Sequence, residues 1–284
     1  MEAVNYNLDE LHIVQLNMLK KLIAVCAEHG FCYFLGFGSL LGAVRNHGII
    51  AWDDSIDIVM PYGDYAKLTV LPQETWGGDL FLQTYDTDPE YPNCYAKLRD
   101  SRTTLIKADY ADLDINHGIY INIMPLVNLA DHPEERRRQI RDAKLYKALA
   151  ERKAARMDST ALRICASFLI GTSSERRRVR IRERLKEKVL RFEGEDTKDC
   201  FVLAGNVSLT LPLSRTWFAS AAEGEFEGIK VNFPKGWNEW LTLRYGDYMV
   251  APISELQGDK ISDFVALSTD KPFTEYKGIT YCVK

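Results

Sequence analysis

An acidic segment behind a Gly-Ser pair carries the side chains of this sequence best suited to chemistry. Gly38-Ser39 is followed, about fifteen residues later, by Asp53-Asp54 and Asp57. Grouped carboxylates repel one another unless a cation neutralises them, and Mg²⁺ is held by one or two carboxylates together with substrate phosphate oxygens. A Gly-Ser turn can supply backbone N–H groups and a hydroxyl for those phosphates. The pattern predicts metal-assisted transfer at phosphorus.

The order of residues in the acidic segment predicts which side chains face a metal. In a strand over 52–60, residues 53, 55 and 57 share one face. Asp53 and Asp57 are therefore candidate metal ligands with Ser55 between them, and Asp53, Asp54 and Asp57 are candidate catalytic residues. The structural alternative is that Asp53 and Asp54 mark the start of a strand and that Asp57 lies on the surface. Spacing alone leaves both readings open.

Apolar spacing predicts the elements that position this segment. Residues 8–29 have a wide apolar face at helical spacing, with Gly30 as the stop. Pro125 is expected to close the strand that ends at residue 124, and residues 71–93 read as loop. Further helices are predicted over 40–46 and 64–70, and strands over 31–37, 52–60, 94–99, 103–107 and 118–124.

The second half of the chain changes character. Charged helices are predicted over 133–156 and 174–191, with an apolar stretch between them. Further on, a turn at 226–228 precedes a strand over 229–233, and a helix over 237–245 ends at Gly246. We expect an α/β (α+β) fold with an appended helical segment. Its parts are a core with the active site at 1–130, the helical segment at 131–200, and a C-terminal part at 201–284 that completes the core.

Two arginine runs mark the helical segment, at 136–138 and 176–178. One reading is a solvated helix face. The other is a dock for a polyanionic substrate or for an anionic membrane surface.

Bulk properties restrict the class of protein. The 284 residues carry a net charge of −4, which argues against a polycation that binds nucleic acid. The six cysteines form no C-x-x-C pair, as expected for reduced thiols of a cytosolic protein. Residues 1–5 lack the basic start and apolar run of a signal peptide, and no apolar stretch approaches the ~20 residues needed to span a bilayer. We expect a cytoplasmic protein, with the inner face of the membrane as a further location.

Five blocks, in order, resemble the LicD family of phosphocholine transferases. They are residues 36–65, 96–104, 115–126, 226–228 and 241–249. The resemblance implies a nucleotidyltransferase-type mixed sheet flanked by helices. It implies transfer of phosphocholine from CDP-choline, or of another phospho-alcohol from a similar CDP-alcohol, to a sugar of a cell-surface glycan such as teichoic acid or lipopolysaccharide. Related eukaryotic members transfer ribitol phosphate.

The resemblance also assigns roles and exposes two departures. It implies that Gly38 and Ser39 cradle phosphate, and that Mg²⁺ or Mn²⁺ binds the acidic strand and one residue of a neighbouring strand. Family members usually carry Asp where this chain has Ser55 and Asn122, both at metal-facing positions. Neutral oxygens are weaker ligands for a hard cation than carboxylates. Either the metal site is rebuilt around Asp53 and Asp57, or it is attenuated, or the two residues were altered deliberately.

Several basic side chains are candidates for phosphate binding, because guanidinium matches phosphate geometry. For each, the alternative is a structural ion pair. We favour Lys97 and Arg99, which lie in a family-like block, and retain Arg45 as a third substrate-binding candidate. Arg102 is a weaker one.

Other candidates have a structural reading beside the functional one. His117 is a possible base or a structural histidine, and Asp247 reads as a turn residue. Asn128 stands where Asp is frequent in the family. Aromatic residues that could bind choline, but are more often core, are Trp52, Tyr91, Tyr95 and Trp240.

Three functions remain in competition. The leading hypothesis is a metal-dependent transferase acting on a CDP-alcohol and a glycan acceptor. The second is a catalytically impaired relative that binds a nucleotide or glycan, because Ser55 and Asn122 lack the expected charge. The third is a nucleotidyltransferase that modifies a small molecule, which would not need the later family-like blocks.

Overall fold

Helices flank a mixed β-sheet in this protein, for which the computed structural model describes residues 8–152, 160–172, 174–204, 211–250 and 263–283. The helices are α1 (Leu8–His29), α2 (Phe37–Arg45), α3 (Tyr62–Thr69), α4 (Pro133–Ala150), α5 (Thr160–Thr172), α6 (Glu175–Val189) and α7 (Trp237–Tyr245). The strands are β1 (Phe34–Leu35), β2 (Asp57–Pro61), β3 (Leu80–Gln83), β4 (Ala96–Asp100), β5 (Thr104–Lys107), β6 (Ile119–Leu129), β7 (Asp199–Val202), β8 (Leu213–Ser214), β9 (Ala221–Phe226), β10 (Ile229–Pro234) and β11 (Phe264–Ser268).

The long central strand β6 organises the main sheet, whose order is β1-β2-β6-β4-β3. On one side β6 runs parallel to β2. On the other side its first half pairs antiparallel with β4 and its second half with β7, so that the sheet forks. Parallel and antiparallel neighbours on one strand make the sheet mixed, which confirms the predicted fold class.

Pro125 lies inside β6, and the expectation that it closes this strand is wrong. The β4 pairing reaches Ile123 and the β7 pairing starts at Leu126. Pro125 therefore lies at the fork between the two partners, where its carbonyl accepts the Leu203 N–H at 2.9 Å and it has no N–H to give back. The strand continues through a residue that would interrupt a regular central ladder.

Helix α1 has the predicted bounds, and its stop has the predicted chemistry. Gly30 has φ +68° and follows the last helical residue. The Phe31 N–H then bonds Cys26 O at 2.8 Å, which is the long hydrogen bond of a Schellman C-cap. The apolar face of α1, including Leu11 and Leu22, is buried in the main core beside β6.

The strands next to the acidic segment are shorter than predicted. Strand β2 begins at Asp57 rather than at residue 52, and β1 covers only Phe34–Leu35. The backbone before Asp57 is held instead by side chains of α1: His12 Nε2 donates to Asp53 O, and Gln15 Nε2 donates to Asp54 O, both at 2.8 Å. These contacts are nonlocal, so apolar alternation along the segment does not report them.

Five strands lie where loop or no element was expected: β3, β7, β8, β9 and β11. Strand β3 lies within the loop-rich 71–93 stretch and pairs with β4, and β11 pairs with β5 near the C-terminus. The helix over 237–245 and its stop at Gly246 are confirmed as α7. The first charged helix, predicted over 133–156, ends at Ala150. Residues 1–5, which carried the leader-peptide expectation, lie outside the described residues, as do residues 153–156.

Helices α4 and α6 form a second apolar cluster on the far half of β6 and on β7. Its buried members are Cys94, Val127, Leu129, Ala143, Tyr146, Leu149, Ala150, Leu185, Val189, Phe201 and Leu203. The predicted helical segment thus covers the sheet beyond the fork, and β7 returns the chain to the sheet at Asp199. The division at residues 130 and 200 stays a prediction. Among the described helices, none combines the length and apolarity required to cross a bilayer.

The β9–β10 hairpin holds the loop that leads into the acidic segment. Its two turn residues, Glu227 and Gly228, have φ +50° and +71°, as a type I′ turn requires. Glu227 Oε1 accepts the Ile49 N–H at 2.8 Å. A Cβ at Gly48 would overlap the Glu227 carboxylate, so the loop backbone approaches this side chain as closely as glycine permits.

Glu227→Ala is expected to lower the free energy of unfolding by about 1 kcal/mol, because the Ile49 N–H loses its acceptor. Glu227→Gln keeps an amide oxygen at the same place and serves as the matched control. Urea denaturation of the three proteins checks this. Equal losses for the two variants would show that charge, and not the hydrogen bond, holds the loop.

Candidate active site

Four polar side chains lie in register across the middle of the main sheet. Asp57 on β2 is opposite Asn122 on β6, Asn122 is opposite Lys97 on β4, and Lys97 is opposite Gln83 on β3. Residues in register project from the same face of a sheet. Asn122 Nδ2 donates to Asp57 Oδ1 at 2.8 Å. We call these four residues the polar row; three of them were singled out from the sequence as site residues.

Asp57 is the electrostatically strained member of the polar row. Its pKa is raised to about 7, first by burial and next by the Asp53 carboxylate, with a smaller contribution from Asp54. The hydrogen bond from Asn122 and the charge of Lys97 lower the pKa but do not cancel that rise. A carboxyl group in this state gains from a nearby cation, because the cation stabilises its charged form.

The cationic end of the row is buried against an aromatic ring. Lys97 is 3% exposed, and burial, followed by the charges of Arg99 and Lys107, holds its pKa well below the usual value. Its Nζ lies 3.2 Å from the centroid of the Tyr120 ring, and Arg99 Cζ lies 4.8 Å from the same centroid. An anion entering the row would favour the charged form of Lys97.

Arg99 is engaged in holding the strands. Its Nη1 donates to Gly118 O at 2.6 Å, and its Nε donates to Gln83 Oε1. The structure therefore places Arg99 beside the polar row with part of its guanidinium already hydrogen-bonded. Its predicted contact with substrate phosphate stays a prediction.

The N-terminus of α2 lies beside the acidic segment. Its first intrahelical hydrogen bond runs from Leu40 N to Gly36 O, so Gly38 and Ser39 belong to the first turn and do not form a separate turn before a helix at residue 40. A Cβ at Gly38 would overlap Asp53 Oδ2, so the missing side chain is what admits this carboxylate. The positive end of the helix dipole favours a negative charge there.

Ser39 positions the polar row. Its Oγ accepts the Asp57 N–H at 2.8 Å, and the side chain is buried. Phe37, which opens the helix, has φ +47°, a strained value for a residue with a side chain. Strain of this kind needs support from its surroundings, and the Phe37 ring packs edge-on against Trp240 with centroids 5.5 Å apart. The predicted phosphate cradle at Gly38 and Ser39 stays a prediction.

Gly38→Ala is expected to lower transfer activity by about 10- to 100-fold and leave the fold intact. Alanine is the better helix former, by about 1 kcal/mol, but its methyl group would displace the Asp53 carboxylate. The urea unfolding midpoint should therefore rise slightly while turnover falls. Gly63→Ala, at a helical position with no atom within 4 Å of a Cβ, is the matched control. Unchanged turnover in Gly38→Ala would contradict a role for Asp53.

Asp54 is committed to an ion pair on the flank of the site. Lys107 Nζ lies 2.5 Å from Asp54 Oδ2 and 3.3 Å from Asp263 Oδ1. Burial would lower the pKa of Lys107, but Tyr120 and Asp54 hold it above its usual value. Ser55, the next residue in the chain, is half-buried.

The remaining basic candidates lie away from the polar row. Arg45 ends α2, seven residues and roughly 10 Å along the helix from Gly38, and its Nε donates to Asn46 Oδ1. Arg102 pairs with Asp79 and Asp100 at 3.2 and 3.1 Å. The predicted phosphate-binding roles of these two arginines stay predictions.

Asn128 and His117 have structural contacts. Asn128 Nδ2 donates to two carbonyl groups, Phe192 O and Glu195 O, and so ties β6 to the chain after α6. His117 is 1% exposed, donates to Leu113 O through Nε2, and packs against the Tyr281 ring at a tilt of 59° with centroids 4.5 Å apart. Burial, followed by the charge of Arg99, lowers the pKa of His117 to about 4. These contacts agree with the structural reading of His117.

Most of the aromatic candidates are core residues. Trp240 and Tyr91 are 2% exposed, and Trp52 packs on the main core. Tyr95 instead lines a cavity of about 230 Å³ at the fork of the sheet, together with four further tyrosines. They are Tyr62, Tyr65, Tyr85 and Tyr146. Asp247 is exposed, and its carbonyl oxygen accepts the Val250 N–H in a turn.

Several residues of the site were not identified from the sequence. His12 and Gln15 tie α1 to the acidic segment, and Gln15 Nε2 also bonds Tyr120 O at 3.0 Å. The only sequence signal for His12 and Gln15 was that two polar residues lie on the apolar face of α1. Tyr120 was not among the candidates named from the sequence.

The C-terminal end of α7 also approaches the acidic segment. Burial raises the pKa of the Tyr245 phenol, Arg244 lowers it, and the charges of Asp57 and Asp53 raise it further. Arg244 Cζ lies 4.6 Å from the centroid of the strained Phe37 ring. Membership of a family-like block was the only signal for these two residues.

The oxygen donors of the site fit Mg²⁺ or Mn²⁺. The carboxylates of Asp53 and Asp57 disfavour each other's charge, which a cation would relieve. Asn122 Oδ1 is buried without a hydrogen-bond partner. No described group of three or more His, Cys, Asp and Glu side chains is arranged to hold a metal, but Mg²⁺ requires only one or two carboxylates with substrate phosphates. The ligand roles of Asp53, Ser55, Asp57 and Asn122 stay predictions.

A mixed sheet with acidic residues beside a Gly-Ser helix start is the arrangement expected of a nucleotidyltransferase-type fold. Residues 30–144 match the family model described as "LicD/FKTN/FKRP, nucleotidyltransferase domain". The chain is also 28% identical over 260 residues to lipopolysaccharide cholinephosphotransferase LicD of Haemophilus influenzae, covering 88% of this chain and 94% of that protein. Residues 30–144 therefore resemble the LicD-type nucleotidyltransferase domain, and the similarity to a LicD cholinephosphotransferase extends over most of the chain.

Proposed function

We propose that this protein transfers phosphocholine, or a related phospho-alcohol, from a CDP-activated donor such as CDP-choline to a sugar of a cell-surface glycan. The observation that carries the proposal is the polar row, in which the carboxyl of Asp57 and the ammonium of Lys97 flank Asn122 beside the start of α2. The similarity to a lipopolysaccharide cholinephosphotransferase supports the phosphocholine group and the glycan acceptor.

The reaction is a displacement at the β-phosphorus of the donor. A sugar hydroxyl oxygen forms the new bond to phosphorus, the bond to the bridging oxygen breaks, and CMP leaves with that oxygen. The hydroxyl proton passes to a carboxylate of the protein. Asp53 and Asp54 are the candidate acceptors of this proton, and Lys107 Nζ lies 2.5 Å from Asp54 Oδ2.

The charged residues of the site divide the remaining work. Asp53 and Asp57 would hold Mg²⁺ or Mn²⁺, with Asn122 Oδ1 as a neutral oxygen nearby. Bound metal would neutralise charge on the diphosphate as the bond breaks. Lys97 and Arg99 lie on the neighbouring strand and would attract and orient the phosphates. The N–H groups at the start of α2 would face the same anion.

Release of CMP tests the proposal. The purified protein is incubated with CDP-choline, Mg²⁺ or Mn²⁺, and a lipopolysaccharide or teichoic acid acceptor, and CMP and labelled glycan are measured together. We expect both products in equal amounts, and at least 10³-fold less with Asp57→Ala. Asp196→Ala, which removes an exposed carboxylate, is the control. Full turnover by Asp57→Ala would overturn the role of Asp57.

The impaired binding module is the second candidate, and one contact favours it. The hydrogen bond from Asn122 to Asp57 partly satisfies the carboxylate without a metal. Calorimetry with CDP-choline separates the two functions. Binding that does not depend on Mg²⁺, with no CMP formed on any acceptor, would support the module and contradict the transferase. Family-like blocks on both sides of the helical segment make small-molecule modification the weakest candidate.

A further inference from the structure

Arg244, near the end of α7, is a half-buried cation that the proposed chemistry does not use. Its Nε is buried and has no hydrogen-bond partner in the part of the chain that the structure describes. Among the described residues, its guanidinium also forms no ion pair with a carboxylate. Charges that are partly withdrawn from water are normally paired. Arg244 is therefore suited to an anion that comes from a ligand.

The ring of Phe37 connects Arg244 to the start of α2. Arg244 Cζ lies 4.6 Å from the centroid of this ring, and Trp240 packs edge-on against the same ring with centroids 5.5 Å apart. Trp240 and Arg244 are four residues apart, so both project from one side of α7. Phe37 directly precedes Gly38, at which a Cβ would overlap Asp53 Oδ2. The guanidinium thus lies next to the helix start that the acidic segment approaches.

Aromatic packing fixes the position of Arg244. Trp240 is 2% exposed and also contacts the Phe218 ring, with centroids 5.3 Å apart. Phe218 in turn packs on Phe34 of β1 at 5.7 Å. The strained φ of +47° at Phe37 turns a ring of α2 toward this cluster, and strain of this kind is typical of ligand sites. A guanidinium that is already held in place loses less conformational entropy when it binds a ligand.

The same end of α7 lies within electrostatic reach of the acidic segment. Burial raises the pKa of the Tyr245 phenol, Arg244 lowers it, and the charges of Asp57 and Asp53 raise it further. Arg244 Cζ lies 5.4 Å from the centroid of the Tyr245 ring. Arg99, by contrast, already donates to two oxygen atoms of the protein. Arg244 is thus a cation near the site whose donors are available to a ligand.

We propose that Arg244 binds the diphosphate of the nucleotide donor beside the start of α2. The inference rests on the proposed function, because the diphosphate is the anionic part of a CDP-activated donor. A planar guanidinium can donate two parallel hydrogen bonds to phosphate oxygens. The oxygen that leaves with CMP belongs to this diphosphate, so Arg244 also stabilises the charge that develops there as the bond breaks.

Calorimetry with pyrophosphate and with CDP-choline, each with Mg²⁺, tests the site without turnover. Arg244→Met keeps an unbranched side chain on the Phe37 ring but removes the charge. We expect it to bind both ligands about 10- to 100-fold more weakly, because hydrogen bonds between charged groups are lost. Arg244→Lys, which keeps a cation without the paired donors, should lie between the two. Arg191→Met is the matched control, since Arg191 Cζ also lies 4.6 Å from an aromatic centroid, that of Phe192 in the chain after α6.

The outcomes separate this inference from the proposed function. Native affinity in both Arg244→Met and Arg244→Lys would overturn the inference and leave the transferase intact. A native chain that binds neither ligand would overturn both. Equal losses in Arg244→Met and Arg191→Met would show a nonspecific charge effect and also contradict the inference. Pyrophosphate binding that requires Arg244, without binding of CDP-choline, would support the diphosphate site and contradict the choline donor.

Steady-state kinetics distinguishes ligand binding from support of the Phe37 ring. In Arg244→Met we expect a raised KM for CDP-choline, an unchanged KM for the glycan acceptor, and a urea unfolding midpoint close to the native one. Millimolar guanidinium should restore part of the turnover of Arg244→Ala, because the ion can occupy the space that the side chain leaves. A variant in which stability and both KM values change together, with no restoration by guanidinium, would show a purely structural role and overturn the proposal.

Discussion

Replacing Asp57 with Asn is expected to abolish transfer and to make the protein more stable at pH 8. The folded protein raises the pKa of this carboxyl from 3.8 to about 7. Asparagine keeps the size of the side chain and an oxygen that can accept the hydrogen bond from Asn122, but it carries no charge. The same charge that would hold a metal is therefore a cost to folding.

The pH window follows from the direction of the shift. Because the folded state binds the proton more tightly than the unfolded chain, the favourable contribution of Asp57 is fully present below pH 4 and is lost as pH rises through 7. The loss at pH 8 is on the order of 4 kcal/mol at most. Asp57→Asn should thus be more stable than the native protein at pH 8 and similar to it at pH 4.

Urea denaturation at pH 4, 6 and 8 measures this difference, with turnover measured on the same samples. Mg²⁺ at pH 8 should raise the unfolding midpoint of the native protein and leave that of Asp57→Asn unchanged, since a ligand stabilises only the state that binds it. A variant that loses stability equally at all three pH values would show that Asp57 is not a strained carboxyl. Retained transfer would remove it from the chemistry.

Asn122→Asp is expected to convert the polar row into a stronger metal site that is unstable without metal. A second carboxylate would replace the amide that donates to Asp57 at 2.8 Å. Two carboxylates at this distance cannot both ionise readily. We expect a loss of about 3 kcal/mol at pH 8 without divalent cation, from the lost hydrogen bond and the like charge, and recovery with millimolar Mg²⁺ or Mn²⁺.

Asn128→Asp is the matched control, because it makes the same chemical change on the same strand. Its side-chain amide donates to Phe192 O and Glu195 O, and Glu193 Oε1 accepts its backbone N–H at 2.7 Å. Because Asp53 and Asp57 belong to the site at Asn122, the recovery with Mg²⁺ should be smaller for Asn128→Asp than for Asn122→Asp. Equal responses of the two variants would contradict a metal site at Asn122. Ser55→Asp combined with Asn122→Asp extends the test to catalysis, since higher turnover would show that the natural site is attenuated.

The local pattern of the sequence was sufficient for elements whose stability is largely local. Helix α1, helix α7 and the stop signals at Gly30 and Gly246 were predicted at their observed positions. A 22-residue helix with one apolar face and a glycine stop repeats the same signal several times over. The turn at Glu227-Gly228 was equally local, because the type I′ conformation depends on its own two residues.

Strand lengths and partners were decided by tertiary structure. Strand β6 continues through Pro125 only because its partner changes from β4 to β7 at that point. Strand β2 starts at Asp57 because side chains of α1, about forty residues earlier in the chain, hold the backbone before it. The alternation of apolar and polar residues within one segment predicts neither fact, because each depends on which distant element packs against that segment.

The sequence by itself determined which functional groups the site contains: a Gly-Ser helix start, the carboxyls of Asp53 and Asp57, and the neutral Asn122. Only the tertiary structure decided how they meet. Parallel pairing of β2 with β6 aims the Asn122 amide at Asp57, and antiparallel β4 adds Lys97 to the same row. Helix α2 places Arg45 at its C-terminal end, whereas Gly38 lies in its first turn. The physical reason is that residue types fix charge and donor chemistry, whereas burial, pKa and ligand geometry arise from neighbours that are distant in the chain.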